Sequence, residues 1–70
     1  MINCVIIDDE AKSIKLLQNM LSMLCPAVNV IGSDTEARNG LLLIEEMRPQ
    51  LVFLDVEMPH LNGFDLLKKL

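Results

Sequence analysis

Two short apolar runs, each closed by aspartate, constrain this chain most. Residues 4–7 (Cys-Val-Ile-Ile) lead into Asp8 and Asp9, and residues 51–54 (Leu-Val-Phe-Leu) lead into Asp55. Both runs are continuous rather than alternating. A strand with one wet face alternates apolar and polar residues, whereas a parallel strand covered on both faces reads as an unbroken run. The two runs are therefore read as parallel strands. A third, weaker strand is expected at residues 28–31, broken by Asn29 and closed by Gly32, as suits a sheet edge.

The segments between these strands carry helical patterns. Over residues 12–24, Ile14, Leu17, Leu21 and Leu24 form one stripe, with Leu16, Met20 and Met23 beside it. So broad an apolar face predicts a helix pressed against a sheet and at least one other helix, and Pro26 stops it. A second helix is expected over residues 35–47, with Asp34 as its N-cap. Ala37, Leu41 and Ile44 supply its buried stripe, and Leu42 and Leu43 widen it. Gly40 should weaken its middle by about 1 kcal/mol relative to alanine, and Pro49 ends it by disfavouring the helical conformation at Arg48. A third helix opens near Gly63 or Phe64 and still runs at Leu70.

The order β-α-β-α-β-α favours a parallel sheet with right-handed crossovers. If the second strand lies on one side of the first and the third on the other, the order reverses beside strand one. Ligands in such sheets gather at the carboxyl ends of the strands around that switch point. Asp8, Asp9 and Asp55 fall there. Two unit charges roughly 4 Å apart repel by about 4 kcal/mol at an effective dielectric near 20, a conflict that a divalent cation removes. An all-oxygen ligand set suits magnesium, and the backbone carbonyl of Glu57 is placed to complete the protein's share of the shell.

Taken singly, the acids have ordinary alternatives. Asp8, Asp9 and Glu10 could simply favour the positive end of the helix that follows, at roughly 0.3–1 kcal/mol each. Asp55 could be a loop-facing acid. Their convergence on adjacent strands favours one joint site. Beyond Asp55, Met58-Pro59 gives a stiff turn away from the site, and Gly63 permits a sharp bend into the third helix. His60 has no partner at metal-ligand spacing and is read as a solvated side chain.

Composition sets the outer limits. Seventy residues make one domain with a small core. With 51% hydrophobic residues and only Phe53 and Phe64 as aromatics, the chain fits a compact α/β protein packed with aliphatic side chains. A net charge of −4, with only Lys68 and Lys69 adjacent among the basic residues, gives no footing for nucleic acid. Cys4 and Cys25 can make neither a disulfide scaffold nor a metal spacing and are read as buried free thiols. The opening apolar run is too short for a signal segment or a membrane span and lacks a basic lead-in, so a cytoplasmic protein with no membrane contact is expected.

These residues resemble a known family. Val5 to Glu10, reading Val-Ile-Ile-Asp-Asp-Glu, looks like the first strand and acidic pair of response-regulator receiver domains from two-component signalling. Leu51 to Pro59, followed at fixed spacing by Leu61-Asn62-Gly63-Phe64, looks like their phosphoacceptor strand and the loop after it. The resemblance covers residues 1–70 as the N-terminal part of such a domain. It implies a flavodoxin-like parallel sheet with helices on both faces, truncated to about three strands in the order 2-1-3. It also implies that Asp55 takes a phosphoryl group from a sensor histidine kinase, with Mg2+ held by Asp8, Asp9, Asp55 and the Glu57 carbonyl. The role is that of a phosphoacceptor rather than an enzyme.

The Glu57 to Gly63 run most resembles receivers with LytTR-type DNA-binding outputs, which implies transcriptional control. Family members continue through two more strands and helices that bring a Ser or Thr and a Lys to the phosphoryl group; neither lies within residues 1–70. The open third-strand edge is expected to support self-association. Three other readings compete. One is a receiver-derived interaction fragment that does not signal. Another is a haloacid-dehalogenase-like phosphatase, whose Asp-x-Asp motif follows the first strand rather than the third. The last is a flavin-phosphate module, which needs a Ser/Thr/Gly-rich loop where Asp8-Asp9-Glu10 stands.

Overall fold

A computed structural model of the chain describes residues 1–55. The elements are β1 (Ile2–Ile7), α1 (Ala11–Leu24), β2 (Val28–Asp34), α2 (Ala37–Met47) and β3 (Leu51–Leu54). They form one parallel three-stranded sheet in the order β2-β1-β3. The expected reversal of strand order beside the first strand is present.

β1 is the axis of the sheet. Cys4, Val5, Ile6 and Ile7 are each no more than 1% exposed, which explains why the run shows no alternation. Successive side chains of a strand point to opposite faces. Val5 and Ile7 pack with Ala37, Leu41 and Ile44 of α2 on one face. Cys4 and Ile6 pack with Ile14 and Leu21 of α1, and with Phe53, on the other. The two helices thus cover opposite faces. β3 is half-buried throughout, and β1 is its one strand neighbour among the described residues.

The structure corrects several expectations. β2 does not close at Gly32 but continues to Asp34. It absorbs one extra residue at a shift in register, where Cys4 pairs with Val30 and Val5 with Gly32. Asp34 is therefore a strand residue and not the N-cap of α2. Glu36 holds the cap position without a side-chain bond, while Asp34 Oδ1 accepts the Glu36 N–H at 2.8 Å and turns the chain into the helix. Gly40 does not sit as a weak point on an open helix face; it is buried directly over Ile7. Leu24 leaves the buried stripe of α1 and is 72% exposed, and Leu16, Met20 and Met23 are exposed beside it. Cys4 is buried as read, but Cys25 is exposed. The third helix and the loop carrying Glu57, Met58, Pro59, His60 and Gly63 lie outside the described residues.

At the end of α2, Arg48 adopts a left-handed conformation (φ 46°), and its N–H donates to the Ile44 carbonyl. The helix ends at Met47, and Arg48 closes it as a left-handed cap residue.

Because Ile6 is solvent-free and Leu42 is 60% exposed, the two should respond differently to truncation. Ile6→Ala is expected to cost about 2–5 kcal/mol, and Leu42→Ala to stay within about 0.5 kcal/mol. Urea unfolding followed by circular dichroism measures both.

Candidate functional site

Three parallel strands bring their carboxyl ends to one edge, and backbone hydrogen bonds lock those ends together. The Asp55 N–H donates to the Ile7 carbonyl at 2.9 Å, and the Asp8 N–H donates to the Asp34 carbonyl at 3.2 Å. Asp8 and Asp55, the first residues past β1 and β3, are thereby held side by side. Asp8 Oδ1 accepts the Glu10 N–H at 3.0 Å, which forms the tight turn into α1 and leaves Asp9 on the site.

One carboxylate oxygen from each of Asp8, Asp9 and Asp55 lies within 4.8 Å of the other two. Asp8 and Asp55 are half-buried and Asp9 is exposed. Partial desolvation, followed by the neighbouring carboxyls of Asp55 and then Asp8, raises the Asp9 carboxyl above the ordinary carboxylate range. Glu10 holds the cap position of α1 without a side-chain cap bond, and the first turn of the helix holds no acid.

The donor set fits a magnesium ion. All three ligands are oxygens, and their spread is close to the roughly 4.2 Å that separates opposite ligands of a Mg2+ bound at about 2.1 Å. A cleft of about 340 Å³ adjoins the acids, lined by Ile6, Leu17, Phe53 and Leu54 together with Asp8 and Asp55. The three acids singled out in the sequence are thus brought together. Glu57, Met58, Pro59 and Gly63 lie outside the described residues. The contribution that sequence reading missed is made by backbone: the carbonyls of Ile7 and Asp34, which carry no side-chain signature.

Comparison with known proteins agrees with this geometry. Residues 4–70 match the response regulator receiver domain family. The chain is 43% identical over 67 residues to protein-glutamate methylesterase/protein-glutamine glutaminase 3 of Geobacter sulfurreducens, covering 96% of this chain and 18% of that protein. It is 39% identical over its whole length to a response regulatory protein of Shewanella oneidensis, spanning 29% of that protein. Among solved structures, the response regulator domain of Thermotoga maritima CheB superposes with a TM-score of 0.88 at 28% identity, over 97% of this chain and 50% of that one. The signal receiver domain of the response regulator NarL from Mycobacterium tuberculosis gives 0.84 at 28% identity, over 93% and 52%.

A flavodoxin-like parallel sheet ending in an acidic cluster defines the class, and the family match settles it. The chain belongs to the response regulator receiver domain family, whose members act as phosphoacceptors in two-component signalling. The matched proteins include a protein-glutamate methylesterase, a CheB domain and a NarL receiver, so the likeness singles out no LytTR-type regulator. Among the described residues, no helix is long and apolar enough to cross a membrane.

The raised Asp9 carboxyl carries a pH signature. The folded chain holds that proton more tightly than the unfolded chain does, so this contribution to stability is full below the ordinary aspartate range. It is lost as pH rises through the higher folded value. Without divalent metal, Asp9→Asn is therefore expected to melt at a higher temperature than wild type at neutral pH. The difference should close toward acidic pH, as read by differential scanning calorimetry across a pH series.

Proposed function

We propose that Asp55 is the phosphoacceptor and that Asp8, Asp9 and Asp55, with the Glu57 backbone carbonyl, hold the Mg2+ that supports its phosphorylation. One observation carries the reading: carboxylate oxygens of Asp8, Asp9 and Asp55, at the ends of two adjacent strands, gather within 4.8 Å of one another. In the transfer, a carboxylate oxygen of Asp55 bonds to phosphorus as the bond to the imidazole nitrogen of the kinase phosphohistidine breaks. The imidazole leaves with the electron pair and takes up a proton. Asp8 and Asp9 would hold a magnesium ion beside the acceptor, and when bound it would supply neutralisation of charge on the phosphoryl oxygens, the main requirement of such transfers. The Asp55 N–H bond to Ile7 fixes the acceptor's backbone, which supplies the in-line positioning that transfer demands.

Residues 1–70 form, in this reading, the N-terminal part of a receiver, and the donor is a sensor histidine kinase. Two outputs have support. The Glu-Met-Pro-His-Leu-Asn-Gly run favours a LytTR-type transcriptional output, while the 43% identity to a protein-glutamate methylesterase favours control of an attached esterase. β3, with its single strand neighbour among the described residues, offers an edge for self-association.

Intact-mass spectrometry after incubation with Mg2+ and a small acyl phosphate tests the central point. One phosphoryl adduct is expected, sensitive to hydroxylamine and lost in Asp55→Asn. An adduct that persists in Asp55→Asn removes the reading. Millimolar Mg2+ should also raise the melting temperature in proportion to RT ln(1 + [L]/Kd), and Asp9→Asn should abolish most of that rise. Light scattering at rising protein concentration reads the association, with a mass above the monomer expected.

A further inference from the structure

Gly40 brings the α2 backbone close against Ile7, at the carboxyl end of β1. A Cβ built on it would lie 2.5 Å from Ile7 Cδ1, 2.7 Å from Cγ1 and 3.0 Å from Cγ2. These three atoms are most of the Ile7 side chain, so no single methyl can swing aside to admit one. Ile7 itself has nowhere to go: it is 1% exposed and packed with Val5 and Ala37. Ordinary helix preference would place alanine at a mid-helix position. Here glycine lets the α2 backbone rest on the isoleucine.

Ile7 is also the residue through which the acidic site is assembled. It pairs with Asp34 on one side and Leu54 on the other. Its carbonyl accepts the Asp55 N–H, and the next residue is Asp8. A displacement of Ile7 therefore moves the backbone of Asp8 and the anchor of Asp55 together.

We propose that Gly40 is a positioning residue for the acidic site: by letting α2 lie directly on Ile7, it fixes the strand end that carries Asp8 and anchors Asp55. This rests on the reading of Asp8, Asp9 and Asp55 as a Mg2+ and phosphoacceptor site. It adds that the Gly40–Ile7 contact, on the helix face of the sheet, sets the affinity and rate of that site.

The test compares wild type with Gly40→Ala, Gly40→Ala/Ile7→Val and Leu21→Ala. The last is a core truncation on the opposite face, in the cluster of Cys4 and Ile6. Mg2+ affinity is read by titration calorimetry, the adduct rate by intact mass, and the Asp8 and Asp55 amide positions by NMR. Gly40→Ala is expected to weaken Mg2+ binding about tenfold, the scale seen when a supporting residue behind a metal ligand is altered. It should also slow adduct formation and shift both amides. The double variant, which removes Cδ1, should recover much of each loss, and Leu21→Ala should leave the Mg2+ affinity of its folded fraction unchanged.

Gly40→Ala matching wild type, or a loss equal in Leu21→Ala, would overturn the inference. So would a double variant no better than Gly40→Ala. If Gly40→Ala does not fold, Ile7→Val alone decides, because it loosens the same contact. Weakened Mg2+ binding with shifted Asp8 and Asp55 amides is then expected, and unchanged values overturn the proposal. Wild type that neither binds Mg2+ nor forms an adduct would instead sink the underlying site assignment.

Discussion

The double-sided burial of β1 is the constraint on which the rest of the structure depends. Cys4 to Ile7 lie almost wholly out of solvent, with α1 on one face, α2 on the other and a strand on each side. A strand in that position must be apolar at every residue, and its backbone groups must pair with neighbours in the sheet, since buried unpaired groups are costly. Moving either helix or either neighbouring strand disturbs the same four residues. The two core clusters are distinct, but they share this strand as their wall.

The acidic site grows out of that constraint rather than being added to it. A parallel sheet sends every strand's carboxyl end to the same edge, so polar residues that follow buried runs are gathered whether or not they attract one another. In this chain those residues are carboxylates, and they repel. The rigidity of β1 is what holds Asp8 and Asp55 together against that repulsion, through the hydrogen bonds at Ile7 and Asp34. Desolvation first, and then the neighbouring carboxyls of Asp55 and Asp8, raise the Asp9 carboxyl. A cation placed among the three carboxylates would relieve their repulsion, as a bound divalent ion is often the largest local charge in such a cluster.

Asp8 and Asp55 are both tied to one buried residue. Ile7 shows one route by which position is controlled here. It is bonded to Asp8, accepts the Asp55 N–H, and lies beneath the bare backbone of Gly40. The chain spans 18–29% of the length of the curated relatives described above, so the likeness concerns this stretch and not the rest of each protein.

The sequence by itself determined the element order, the strand that must be central and the three acids that gather at one sheet edge. These follow from local rules: an unbroken apolar run means two covered faces, and an acid directly after such a run lies at a strand's carboxyl end. The continuous runs at 4–7 and 51–54 carried that information residue by residue. Only the tertiary structure decided the matters that depend on what a residue meets across space. Asp34 looked like a helix cap but pairs opposite Ile7 in the sheet. Gly40 looked like a weakness of α2 but is a site of close approach, which no propensity scale can register because it depends on Ile7. Leu24 and Cys25 looked buried but end exposed, because burial of a stripe depends on having an element to cover it. The carbonyls that hold Asp8 and Asp55 in place belong to the backbone, identical in every residue, so only their positions could reveal them.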